Sequence, residues 1–159
     1  MGLDLIPKRC GCSKHPQDAN HPNDGTTHKP DEPCPFEKYM VLRGMFGSCC
    51  SLRGKVAARE LAALGETKVS ERMYEDMLAE EAIAFAKELR AAADRLEEST
   101  RSSTDKPKGA GWNGEWNAKD EKCDWQSYST FEEALDSIRE VAAWYEKVGS
   151  LGYGVRASY

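Results

Sequence analysis

Apolar positions recur along this chain with two periods, and long polar stretches separate them. Residues 2–6, GLDLI, alternate briefly and stop at Pro7, which predicts a short strand. Residues 36–46 form a compact apolar run, with Tyr39, Met40, Val41 and Leu42 as a buried strand that Gly44 and Gly47 interrupt. The period then changes. Ser48 and Ser51 are candidate N-caps for a helix running to about Leu64, on which Ala57, Leu61 and Leu64 repeat at helical spacing. Gly65 stands where a left-handed cap would close it.

Ser70 is placed to cap the next helix. On it Leu78, Ala82, Phe85, Leu89, Ala93 and Leu96 form one apolar stripe, and Ala91, Ala92 and Ala93 add helix propensity. The pattern is compatible with a helix continuous from Glu71 and with one broken near Ala79. Residues 99–111, STRSSTDKPKGAG, read as a solvated loop. Thr130 and Glu133 then make a capping box, followed by Phe131, Leu135, Ile138, Ala142 and Tyr145 on one face of a third helix. Residues 151–159 alternate with period two, as a strand docked in a sheet would.

These elements predict an α+β fold: about three helices packed on a small sheet that includes both ends of the chain. The length, 159 residues, fits one domain spanning 1–159. With 40% hydrophobic and 31% charged residues, the composition is that of a globular domain. No run approaches the roughly 18 apolar residues of a membrane span, and no signal peptide is visible, so a cytoplasmic location is expected.

Candidate chemistry is concentrated in the least apolar part of the chain. All three histidines and three of the six cysteines lie between Cys10 and Cys34. The stretch 8–35 carries almost no hydrocarbon and cannot order itself by burial. Thiolates and imidazoles crowded into such a loop predict a structural zinc site of four ligands, Cys10, Cys12, His15 and Cys34, with His21 and His28 as alternatives. In an exported protein the six cysteines would instead suit three disulfides. A catalytic zinc would need a carboxylate beside its water. Asp18, Asp24, Asp31 and Glu32 are available, but no HExxH or HxE…CxxC pattern accompanies them.

Residues 44–55, GMFGSCCSLRGK, offer a second site. Ser48 and Ser51 entering a helix, with Arg53 and Lys55 in its first turns and Trp112 nearby, would suit a nucleotide phosphate or small anion. The stretch is no Walker A loop, because six residues separate Gly47 from Gly54 and Val56 replaces the required hydroxyl. Cys49 and Cys50 read as buried packing residues, and no histidine lies near in sequence to activate a thiolate. Trp112, Trp116, Trp125 and Tyr128 either seal the edge of a small core or grip a partner.

Charge narrows the partner. The net charge is −5, and residues 66–98 hold ten acidic and five basic side chains. This excludes a general duplex nucleic-acid binder, which needs a basic face. The acidic stretch reads either as a solvated helix face or as a surface that fills a basic groove on a partner protein, with Glu75, Glu80, Glu81 and Glu88 as its test positions.

The opening MGLD, the middle GMFGSCCSLRGK and the ending GYGVRASY together resemble a group of small phage and prophage proteins. The resemblance covers the two ends and one helix start, and it carries no catalytic residue. It implies a viral or mobile-element origin and favours interaction over catalysis. The expectation is therefore a non-enzymatic, zinc-stabilised accessory protein that binds a host protein of a defence or nucleic-acid-processing system. The alternative is a small-molecule or nucleotide-phosphate-binding protein, or an enzyme, that uses residues 47–55 and the tryptophans.

Overall fold

Three short strands from remote parts of the chain find one another. The computed structural model describes residues 3–8, 41–42, 45–46, 52–101 and 131–159. Strand β1, Asp4–Pro7, lies at the centre of a three-stranded antiparallel sheet. One neighbour is β4, Leu52–Arg53, paired as Asp4 with Arg53 and Leu5 with Leu52. The other is β5, Val155–Ser158, with Leu5 opposite Ala157 and Pro7 opposite Val155. Because paired residues share a face, Leu3, Leu5, Leu52 and Val155 turn to one side and are almost fully buried. Asp4, Ile6 and Arg156 occupy the other. Strands β2, Val41–Leu42, and β3, Met45–Phe46, pair only with each other. The expected strand at 39–42 is thus present at Val41 and Leu42, and Tyr39 and Met40 lie outside the described residues.

The helix expected from Ser48 or Ser51 begins later. Helix α1 is Lys55–Ala63, and Leu52 and Arg53 belong to the sheet. The reason is tertiary. The Gly54 amide donates to Leu3 O at 2.9 Å, so the chain continues the ladder before it coils. A Cβ at Gly54 would stand 2.7 Å from Leu5 Cδ1, which is why helix and strand approach so closely there. At its far end α1 closes as expected: Gly65 has φ +93°, its amide donates to Ala62 O, and Glu66 N donates to Leu61 O.

Helix α2 is Thr67–Arg72. Ser70 sits inside it and caps nothing; its hydroxyl donates to Ala58 O at 2.6 Å and ties α2 to α1. The chain then leaves the helical path for residues 73–78, a connection we call the strap. Helix α3, Ala79–Arg101, starts afresh. The Glu81 carboxylate reaches back to the Leu78 amide at 2.7 Å, half of a capping box. The break resolves the ambiguity at Ala79 and makes four helices among the described residues where about three were expected. It also removes Leu78 from the apolar stripe, where it was expected to be buried: it is 58% exposed, whereas Ala82, Phe85, Leu89, Ala93 and Leu96 are buried. Ser99 and Thr100 remain helical, their hydroxyls donating to carbonyls one turn back, so α3 runs three residues into the stretch expected to be loop.

Helix α4, Phe131–Ser150, runs antiparallel to α3. Phe131, Leu135, Ile138, Ala142 and Tyr145 are all buried, as the spacing required. A second strip, Ala134, Ser137, Val141, Trp144 and Val148, is buried as well. Thr130 of the expected capping box lies outside the described residues. Gly149 sets the closest approach of the pair, since a Cβ there would lie 2.4 Å from Ala79 O and 2.6 Å from Ile83 Cγ1. The helix ends like α1: Gly152 has φ +80°, its amide donates to Gly149 O, and Tyr153 N donates to Val148 O. The observed class is α+β, with a helical layer on one face of the three-stranded sheet.

Candidate functional site

Exposed large apolar side chains occur on the strap and on the segments that follow α4 and β5. Among the described residues the large hydrophobics open to solvent are Tyr74, Leu78, Leu151 and Tyr159. The first two belong to the strap, Leu151 follows α4, and Tyr159 follows β5. Tyr74 and Tyr159 meet edge to face with centroids 5.8 Å apart. A Cβ on Gly154 would lie 3.6 Å from Leu78 Cα, so the Leu151 turn and the strap are neighbours. The strap is fastened to β5 by paired backbone bonds between Met77 and Val155, both 2.8 Å. Beside them Asp76 Oδ1 accepts from the Ala157 amide at 3.0 Å, and Asp76 Oδ2 lies 3.0 Å from Lys8 Nζ. Glu71, Glu75 and Glu80, in and beside the strap in sequence, are exposed as well.

Elsewhere the acidic stretch is turned inward, onto the protein's own arginines. Arg72 of α2 pairs with Glu88 of α3 and lies with its guanidinium carbon 5.1 Å from the Phe85 ring centroid. Glu66 receives two bonds from Arg95, at 3.0 and 2.8 Å. Arg139 of α4 bridges Asp94 and Glu97 of α3, and Arg90 bonds Glu146 at 2.5 Å. The hydrogen bond from Arg90 holds the Glu146 carboxyl below its ordinary pKa. Of the test positions chosen from sequence, Glu88 and Glu75 therefore face Arg72, and Glu81 caps α3. The solvated-face reading survives mainly at Glu71, Glu80 and Glu98.

Behind Arg72 lies Tyr145, fully buried between Phe85 at 4.9 Å and Trp144 at 5.2 Å, both edge to face. Among the described residues its hydroxyl finds no hydrogen-bond partner. Burial pushes the phenol far above its ordinary pKa, and the nearby Arg72 charge offsets part of that rise. The Ser137 hydroxyl is likewise buried without a partner. Glu60, 1% exposed on α1, is a buried carboxylate that does make a polar contact.

The site residues expected from sequence lie largely outside the described residues. Cys10, Cys12, His15 and Cys34 lie outside the described residues, as do His21, His28 and the carboxylates Asp18, Asp24, Asp31 and Glu32. Among the described residues no group of His, Cys, Asp and Glu is arranged to hold a metal. Ser48, Cys49, Cys50, Ser51, Trp112, Trp116, Trp125 and Tyr128 are outside too. Arg53 is a strand residue opposite Asp4, and Lys55 is the first residue of α1. The Gly54 amide ahead of that helix is already bonded to Leu3, which leaves one donor fewer for an anion there.

Sequence reading missed Trp144, Tyr145's hydroxyl, Arg72 and Asp76. A signal existed for Trp144: Val141, Ala142, Ala143, Trp144 and Tyr145 are five consecutive apolar residues, and a helix apolar over so wide an arc is covered on more than one side. Asp76 gave no signal, because its role depends on a strand eighty residues away in sequence.

No protein-family model matches the chain, and neither does any curated protein or solved structure. Among the described residues, no helix is long and apolar enough to cross a membrane.

Proposed function

We propose that the chain is a non-enzymatic accessory protein of phage type that binds a host protein, with a zinc-stapled segment at 8–35. One observation carries the binding reading. The exposed large apolar side chains are grouped on the strap and the segments touching it, with Glu71, Glu75 and Glu80 exposed in and beside the strap in sequence. Scattered exposed hydrophobics need no explanation, but a group on adjoining segments, with exposed carboxylates beside it and Lys8 paired to Asp76 within it, has the composition of an interface. The matching partner is a protein with an apolar patch ringed by lysine or arginine, as on the basic groove of a nucleic-acid-processing or defence protein. The MGLD, GMFGSCCSLRGK and GYGVRASY resemblance supports the phage assignment, and the ligand chemistry of Cys10, Cys12, His15 and Cys34 supports zinc.

Two measurements test the two halves separately. Elemental analysis of freshly reduced protein should find about one zinc per chain, lost in Cys34→Ser; absence of metal removes the zinc. For binding, a candidate host protein retained by the native chain should be released by Leu78→Asp and by raised salt. Retention unchanged by Leu78→Asp together with Glu75→Lys and Glu80→Lys removes the proposed surface.

A further inference from the structure

We infer that Asp76 is an edge guard: its carboxylate closes the outer side of β5 against strand addition by a second copy of this chain. The argument begins with the ladder. In an antiparallel strand alternate residues turn their N–H and C=O groups to opposite sides. Lys8 N bonds Gly154 O at 2.7 Å on the β1 side, so Val155, Ala157 and Tyr159 turn their groups outward. An open row of this kind is a template for another strand. Val155 is occupied, because Met77 takes both its N–H and its C=O. Beyond Met77 the strap no longer runs as a strand, and a side chain substitutes for backbone: Asp76 Oδ1 takes the Ala157 N–H at 3.0 Å. Lys8 holds the other oxygen at 3.0 Å, which fixes the carboxylate in that orientation.

The occupant excluded is a second β5. Two such edges, related by a two-fold axis at Ser158, would place Ala157 of each copy against Tyr159 of the other. That register exchanges backbone bonds at both ends, brings Ser158 against Ser158, and keeps the two Arg156 side chains from facing one another. The barrier to it is the occupied Ala157 donor, with the Tyr74 ring packed on Tyr159 beside it. The inference is independent of the proposed host partner and of zinc.

The test is sedimentation of the full-length chain across a concentration series, with the native protein alongside. Asp76→Ala should raise the weight-average mass towards twice that of the native protein, and Asp76→Asn, whose amide oxygen still accepts from Ala157, should not. Adding Ala157→Pro to Asp76→Ala removes the donor and should restore the native profile; proline is tolerated where the N–H faces outward. Asp76→Ala sedimenting like the native protein would overturn the guard, and so would Asp76→Asn associating to the same degree. Should Asp76→Ala fail to fold, amide exchange of the native protein decides. Ala157 N–H should be protected like its neighbour Arg156, and free exchange there would mean that the carboxylate does not hold it.

Discussion

Helices α2 and α4 are held in this molecule by different physics. Helix α4 is surrounded: two apolar strips are buried, and Trp144, Tyr145, Ile138 and Val141 have no solvent exposure. Helix α2 is six residues long, with Val69 and Ser70 buried, and it reaches α3 through charge. Arg72 to Glu88 and Glu66 to Arg95 join the two across partly exposed surface. Apolar burial scales with area and is not screened by salt, whereas an exposed ion pair contributes little and is screened. The difference teaches where the fold is fixed and where it can yield. The α3–α4 pair is the part held by burial, and the contact of α2 with α3 is the part that salt or a single substitution can shift.

Replacement in the half held by burial should cost most. Trp144→Ala should destabilise the fold by about 3–5 kcal/mol and Leu135→Ala by about 2–5 kcal/mol, both read by chemical denaturation. A change under about 0.5 kcal/mol at Leu135, comparable to an ordinary surface substitution, would mean that α4 is not packed as described.

Overfilling the same interface comes next. Gly149→Ala would place a methyl against Ala79 O and Ile83, so the helix ends must part, at a cost of about 1–3 kcal/mol. An unchanged midpoint would show that the contact is looser than its geometry. Glu88→Gln tests the yielding half. It removes the charge partner of Arg72 and should cost about 0.2–1 kcal/mol, a penalty that shrinks in high salt. A larger loss that persists in salt would place α2 among the rigidly packed elements and erase the comparison.

The smallest effect at neutral pH belongs to Tyr145→Phe. The hydroxyl is buried without a partner among the described residues, so its removal should leave stability equal or slightly raised. At alkaline pH the two proteins should separate. The folded phenol resists ionisation, while an unfolded one titrates near about pH 10. Stability from the protonated form is therefore complete below that pH and lost as pH rises through it. The native protein should show this alkaline loss, and Tyr145→Phe should show less of it. Parallel pH profiles would mean that the Tyr145 hydroxyl reaches water.

Much of the helical layer was legible because helix periodicity is local. Phe131, Leu135, Ile138, Ala142 and Tyr145 could be placed from spacing, and Gly65 could be read as a helix end because few other residues accept positive φ. Strand β5 was legible from alternation at residues 155–158, whereas residues 151–154, expected in the same strand, form the turn that closes α4. What stayed hidden was each place where a distant segment overrides local preference. Leu52 and Arg53 lie in a stretch whose serines favour a helix start, yet they extend the sheet because β1 offers a ladder. Residues 73–78 have side chains a helix would accept, yet Met77 pairs with Val155 and the helix stops. The Cys/His chemistry is visible in the sequence as donors and spacing, and its positions lie outside the described residues.

Sequence alone therefore determined one buried face each of α3 and α4, the end of α1 at Gly65 and the sign of the net charge, each of which depends on composition or on residues within a turn or two. The tertiary structure decided the start of α1, the break before α3, the burial of α4 on its second side and the role of Asp76. Each of these depends on a hydrogen-bonding or packing partner from a remote segment, and no local pattern records which remote segment will arrive.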